Sequence, residues 1–253
     1  MSAGPFRSQL SAELRVVLRN GEQLLLTLVI PILLLVFFSL TEILPAGFDD
    51  PGRDRVDFLF PGVLALAVMS SAMVSLGIGT GFERGYKVLR RLGVTPLGRP
   101  RWLLAKTVSV LVVQILQVVV LTGVAVACGW RPGADNDLGV VDVLSALAAV
   151  VAGTAAFAGL GLFLAGRLRA EINLAAQNAL YIVLLLLGGM VVSIDELPGV
   201  LAEVAPWLPS GALADLLRDA VGGADSGGAH AWLALGAWAV AAPFLAALTF
   251  RWE

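Results

Sequence analysis

Charged residues are scarce in this 253-residue chain. They make up 14% of it, whereas soluble domains carry roughly 25%. Hydrophobic residues reach 58% and the mean hydropathy is +0.88. This composition excludes an ordinary soluble domain and predicts a protein embedded in a bilayer. The formal net charge is only −2, so there is no cationic surplus with which to bind nucleic acid.

Residues that form catalytic and metal sites are also scarce. The chain has one cysteine, Cys128, and one histidine, His230, which supports neither a disulfide framework nor a metal centre. No GxxxxGK[ST] loop is present, so ATP cannot bind in the P-loop manner, and no HExxH or GxSxG motif indicates catalysis. We expect no catalytic residue, no metal site and no cofactor bound by this chain. The polar, amphipathic first twenty residues also predict no cleavable signal peptide.

Long apolar runs dominate what is present. About 20 residues are needed to cross the hydrocarbon, and the runs are continuously apolar rather than alternating, which excludes strands. The sequence therefore predicts an all-α integral membrane fold, a single transmembrane domain over residues 1–253. Its six predicted spans are 24–40, 58–79, 103–127, 144–164, 175–192 and 231–250.

The flanking charges predict the orientation of these spans. With both termini in the cytoplasm, the cytoplasmic segments hold 13 of the 17 Lys and Arg residues, and the external segments hold only Arg53, Arg55, Arg131 and Arg218. Because an excess of Lys and Arg marks cytoplasmic loops, we expect a multi-pass protein of the cell membrane with its N- and C-termini inside.

Two amphipathic regions lie outside the spans. Residues 4–21 repeat apolar positions at helical spacing opposite arginines, which is typical of a helix in the membrane interface; an ordinary positive flank for the first span is the alternative. Residues 195–221 form two short amphipathic pieces around Pro206-Trp207-Leu208-Pro209, because proline interrupts a helix. They predict an external re-entrant helical hairpin, with a plain external loop as the alternative.

Small and polar residues within the spans are candidates for a transport pathway. Ala67, Ser71, Ser75 and Gly79 are spaced by four in the second span, a ridge that also suits close helix packing. Polar side chains in hydrocarbon should face protein or water, and they either line a path or bond neighbouring helices. The candidate pathway residues are Ser71, Ser75, Gln114, Gln177, Asn178 and Tyr181.

A basic stretch separates the second and third spans. Residues 80–106 hold seven Lys and Arg residues and one acid, Glu83. The segment ERGYKVLRRLGVTPLGRPRWLLAK resembles the cytoplasmic signature of type-2 ABC exporter permeases. The matching positions are Glu83, Arg84, Tyr86, Leu89, Leu92, Thr95, Pro96 and Lys106, and Arg90 departs from the acidic residue of many members. Leu197-Pro198 with Leu208-Pro209 resembles the family's re-entrant helices, and the N-terminal helix resembles its connecting helix.

The resemblance implies a division of labour between subunits. Two ABC ATPase subunits would bind ATP and Mg²⁺ and push on a coupling segment at 83–98, while a second permease, identical or homologous, would complete the pathway. The implied ATPase-coupling residues are Glu83, Arg84, Tyr86, Leu89, Arg90, Arg91 and Leu92. The Ala-, Val-, Leu- and Gly-rich, lysine-poor composition resembles actinobacterial drug-export permeases, which implies efflux of a drug-like or lipid-like compound and antibiotic resistance.

Two alternatives to drug export remain. The same architecture exports lipid-linked glycans or haem-like cargo, and a non-transporting scaffold or immunity protein would also use six spans. None of the predicted spans has an Asp, Glu, Arg or His near its centre. Proton- and sodium-coupled carriers commonly need such a group, so its absence argues against a coupled carrier.

Overall fold

The structure is a computed structural model. This structure describes residues 4–19, 21–41, 55–88, 98–131, 139–190, 197–222 and 228–250. Every regular element in these ranges is a helix, and none of them contains a strand. Five helices there are long and apolar enough to cross a membrane, and a bent helix pair makes a sixth if it counts as one span. An all-helical membrane fold is therefore confirmed.

The chain begins with two consecutive helices, α1 (Pro5–Arg19) and α2 (Gly21–Leu40). Helix α2 covers the predicted first span, 24–40, and its 20 residues match the roughly 20 that a span requires. Helix α1 packs against the helix of the third span. Its predicted position in the membrane interface stays a prediction.

The second span lies at the centre of the helix bundle. It runs from Val56 to Gly85 as α3 (Arg55–Met69), a π-helical segment (Ser70–Ser75) and α4 (Leu76–Gly85). Most of its residues are buried, and it packs against the helices of the third, fourth and fifth spans. A π-helix inserts an extra residue into a turn and is frequent at functional sites.

The remaining long helices surround this central span. They are α5 (Arg99–Ala127), α6 (Val140–Arg167), α7 (Ala170–Leu187) and α10 (Gly228–Thr249). Helices α6 and α10 form the most extensive contact. Gly159 explains why: a Cβ there would lie 2.5 Å from the carbonyl carbon of Ala242, so only glycine allows the backbones to approach this closely.

Two short helices precede the last span. Helix α8 (Val200–Val204) continues into a 3₁₀ turn (Ala205–Trp207), and α9 (Pro209–Gly222) follows. The two parts meet at 72° at the predicted proline-rich break. Leu213, Leu216 and Leu217 are buried on one face of α9, as the sequence pattern indicates. The path of this bent pair relative to the membrane, and so its re-entrant character, stays a prediction.

Arg218 anchors α9 to the rest of the bundle. Its guanidinium donates a hydrogen bond to the Gly189 carbonyl, pairs with Asp215 at 3.1 Å, and lies 5.1 Å from the centre of the Phe58 ring. Phe58 begins the second span and Gly189 follows the fifth, so Arg218 marks the opposite end of the bundle from Gly85.

Candidate functional site

The base of the predicted coupling segment is well defined at the end of α4. Tyr86 is 76% exposed, and its ring stacks on Phe82 with centroids 6.2 Å apart. Lys87 then takes φ +61°, a left-handed conformation that commonly follows the end of a helix. The other predicted coupling residues, Leu89, Arg90, Arg91 and Leu92, lie outside the described residues.

Arg84 connects the base of the coupling segment to the fourth span. Its Nη1 donates a 2.7 Å hydrogen bond to the carbonyl oxygen of Ala165, in the last turn of α6. Cations are favourable there because the final carbonyls of a helix lack partners within the helix and carry partial negative charge. Arg84 therefore contributes to holding the ends of the second and fourth spans together.

Glu83 connects the same base to the third span and to α1. The Nζ of Lys106 lies 2.7 Å from Oε1 of Glu83 and 3.0 Å from Oε2 of Glu13. Gln9 donates a further bond to Glu13 at 2.7 Å. Lys106 is only 3% exposed. Two carboxylates and the Trp102 ring, 5.4 Å away, hold it inside, as buried charges require.

A cavity of about 90 Å³ lies beside this ion-pair cluster. The cluster, defined as Glu13, Glu83 and Lys106, forms one part of its wall. The rest of the wall comes from α1, α2, the second span and α5: Val16, Val17, Thr27, Ser71, Ser75, Leu76, Gly79, Thr80, Ser109, Val110 and Val113. Two predicted pathway residues, Ser71 and Ser75, thus line a cavity within one subunit.

Ser71 and Gln114 also take part in hydrogen bonds between helices. Ser71 Oγ donates to Gln117 Oε1 at 3.0 Å, and Gln117 Nε2 donates to the Thr27 carbonyl at 2.9 Å. Gln114 Nε2 donates to the Val68 carbonyl at 3.0 Å, just before the π-helical segment. These bonds join α5 to α2 and to the second span. Gln117, absent from the predicted pathway set, is as central to this network as Gln114.

The polar residues of α7 divide between two environments. Asn173 donates to the Gly77 carbonyl and Gln177 to the Gly161 carbonyl, each at 2.9 Å, and both are fully buried. Asn178 is exposed and bonds only within its own helix, to the Leu174 carbonyl; Tyr181 is partly buried against the core. Asn173 and Gln177 therefore lie on the buried face of α7, whereas Asn178 lies one position further around the helix, on its exposed side.

The comparison with known families decides what this bundle is. The sequence matches the family described as "ABC-2 type transporter" over residues 6–221. The chain belongs to this family. It is also 26% identical over 204 residues to "Putative transport permease YvfS" of Bacillus subtilis (strain 168), which covers 81% of this chain and 80% of that relative. The resemblance inferred from the basic segment is confirmed.

Family membership defines the protein's general role. It is a multi-pass membrane permease of an ABC transporter, a transport component without a catalytic site, and the family implies that it works with an ABC ATPase. Within the described residues, no group of three His, Cys, Asp or Glu side chains lies close enough together to hold a metal ion. The coupling and pathway residues of this permease stay predictions.

Proposed function

We propose that this permease forms the transmembrane half of an ATP-driven exporter of a hydrophobic or amphipathic compound. Two ATPase subunits act on the 83–98 segment, and two permease copies, identical or homologous, enclose the pathway. The 83–98 segment and both termini lie in the cytoplasm, because this orientation gives the cytoplasmic side 13 of the 17 Lys and Arg residues.

The observation that carries the proposal is the attachment of the 83–98 segment to the bundle. At its start, Glu83 pairs with Lys106 of α5 and Arg84 bonds the end of α6. Its other end continues directly into α5 at Arg99. A displacement of the segment would therefore move the second, third and fourth spans together with α1. A loop without such bonds would absorb the displacement instead.

The chemical class of the cargo is inferred from the side chains that could line a pathway. Polar side chains are few, and most of those that are buried already bond neighbouring helices, as Gln114 and Gln177 do. Asn178 remains on the exposed side of α7, where a second permease copy would face it, and Tyr181 is partly buried against the core. Mostly apolar linings with few polar groups suit apolar and amphipathic ligands.

The test of this function is a substitution in the coupling segment. Apolar anchors at the centre of an interface dominate its energy, and truncating one costs about 2 kcal/mol or more. We therefore expect Leu89→Asp to reduce co-purification of the cognate ABC ATPase at least about tenfold, since about 1.4 kcal/mol equals a factor of ten, while the permease still inserts at the normal level. ATP hydrolysis by the reconstituted complex should fall in parallel.

The matched control is Leu201→Asp, which places the same charge at an exposed leucine of α8 on the predicted external side. It should leave the ATPase bound. A Leu89→Asp complex that assembles and transports normally would refute the coupling role of the segment. A wild-type permease that retains no ATPase at all would favour the scaffold alternative.

A further inference from the structure

We propose that the cavity beside the ion-pair cluster binds the primary ammonium group of an amphipathic compound, with Glu83 as its counter-ion and Thr80 as a hydrogen-bond acceptor. This inference rests on the proposed export function and narrows its cargo to cationic amphiphiles. It comes from three observations: the net charge of the cluster, an unpartnered buried hydroxyl, and the division of the cavity into polar and apolar walls.

The charges of the cluster do not balance. Two carboxyl groups face one ammonium group, Lys106, so the formal charges on this part of the cavity wall sum to −1 when both carboxyls are ionised. Charge buried without a counter-ion is unfavourable. Of the two carboxylate side chains, that of Glu83 is one-third exposed and that of Glu13 is 12% exposed. An added cation would therefore reach the site at Glu83, whose second carboxylate oxygen has no hydrogen bond from the described residues.

Thr80 supplies the second observation. Its side chain is fully buried, its Oγ1 has no hydrogen-bond partner among the described residues, and it lines the cavity. Buried polar atoms are nearly always bonded to protein or to ordered water, so this hydroxyl can accept a hydrogen bond from a molecule in the cavity. A primary ammonium group has three donors and can bond Thr80 and Glu83 together.

The size and the remaining wall of the cavity fit an amphipathic ligand. A single water needs about 10–15 Å³, so a cavity of about 90 Å³ also accepts an ammonium head group. Val16, Val17, Val110 and Val113 provide an apolar surface next to the charged one, on which an alkyl chain would lie. An ammonium group attached to an apolar tail matches both surfaces; a neutral alcohol or an anion matches only one.

Binding of octylammonium to the purified permease in phosphatidylcholine nanodiscs tests the proposal, with empty nanodiscs as the calorimetric blank. We expect octylammonium to bind at least about tenfold more tightly than octanol and than octyltrimethylammonium, which lacks the donors. Glu83→Gln should weaken octylammonium binding about tenfold, since removing a counter-ion in a partly exposed site is worth about one decade of affinity. The control Glu203→Gln removes an exposed carboxylate of α8 and should change nothing.

Two further variants keep the test independent of the ion pair. Thr80→Val preserves the side chain's shape and should weaken octylammonium about threefold or more while octanol binding is unchanged. Gly79→Leu should abolish binding, because a Cβ at Gly79 meets no atom within 4 Å and the larger side chain enters the cavity without clashing at its root. Equal affinities for octylammonium and octanol, or undiminished binding to a folded Gly79→Leu permease, would overturn the proposal.

The ammonium group has two possible sources, a transported compound or the head group of phosphatidylethanolamine. Repeating the titration in nanodiscs with equal amounts of phosphatidylcholine and phosphatidylethanolamine separates them. Competition by the lipid assigns the site to a resident head group, and undiminished binding assigns it to cargo. Octylammonium binding is measured on the permease alone and does not depend on the ATPase. If octylammonium does not bind but the ATPase complex forms, the cargo class is rejected and the export function is not. If octylammonium binds but no ATPase complex forms, the export function is rejected and the binding site is not.

Discussion

Replacing Gln177 by alanine tests whether this residue holds helices together or faces a transport pathway. Gln177 is fully buried and donates to the Gly161 carbonyl at 2.9 Å and to Asn173 Oδ1 at 3.2 Å. Hydrogen bonds between membrane helices average about 0.6 kcal/mol and reach about 1.7 kcal/mol. The bond to Gly161, which joins two helices, is thus worth about 0.6–1.7 kcal/mol, to which the bond to Asn173 within α7 and the lost packing add. Asn178→Ala is the matched control: that residue is exposed, and surface substitutions usually stay within about 0.5 kcal/mol.

Gly77 sharpens this test because its missing side chain makes room for Gln177. A Cβ on Gly77 would collide with Gln177 Nε2 and lie 2.7 Å from its Cδ, and the next nearest atom is the Gly161 carbonyl oxygen at 3.0 Å. Overpacking of this kind costs about 1–3 kcal/mol. In a Gln177→Ala background the collision disappears, so Gly77→Ala should then cost at least about 1 kcal/mol less. The double variant should be more stable than the sum of the two single effects predicts.

Unfolding of the purified permease in mixed micelles, titrated with dodecyl sulfate, measures these free energies for the wild type, both single variants and the double variant. Additive effects of Gly77→Ala and Gln177→Ala would refute the packing described here, because independent sites add. A Gln177→Ala permease of wild-type stability with altered cargo-stimulated ATP hydrolysis would instead support the pathway assignment.

Two other predictions concern orientation and the ion-pair cluster. Single cysteines at Gly98 and Gly223 in a Cys128→Ser background should react from opposite sides of intact cells; labelling of both by an impermeant reagent would show that the predicted orientation is wrong. Lys106→Met leaves two carboxylates without their cation and should lower the free energy of unfolding by about 1–3 kcal/mol, less than the 3–5 kcal/mol of a fully buried pair because one partner is partly exposed. Lys106→Arg retains the charge and should lose less, and equal losses in the two variants would contradict an electrostatic role.

Hydropathy was sufficient to predict most of the fold. Helices α5, α6, α7 and α10 overlap the predicted third to sixth spans because a continuously apolar run of about 20 residues has few alternatives in a bilayer. Hydropathy did not reveal that the bent α8–α9 pair is itself a candidate span. The π-helical segment had no sequence signal, because it depends on partners in other helices.

The contacts of the candidate site were less predictable. Periodicity identified Ser71, Gln114 and Gln177 as polar residues needing partners, but not which partners they find. Glu13 and Lys106 are 93 positions apart, and neither charge is unusual where it stands in the sequence. The helical period indicates which face a residue occupies; which helix packs against that face depends on tertiary contacts.

The distribution of polar contacts gives the two ends of the bundle different properties. At the end where the coupling segment starts, Glu83 and Arg84 join the second span to α5, α1 and α6 through charged hydrogen bonds, which are roughly twice as strong as neutral ones. Further along α6, Gly159 packs directly on the backbone of α10, where contact depends on shape alone. Charged bonds of this strength hold the elements that they join together. A displacement applied to the 83–98 segment would therefore carry α1 and the second, third and fourth spans as one body.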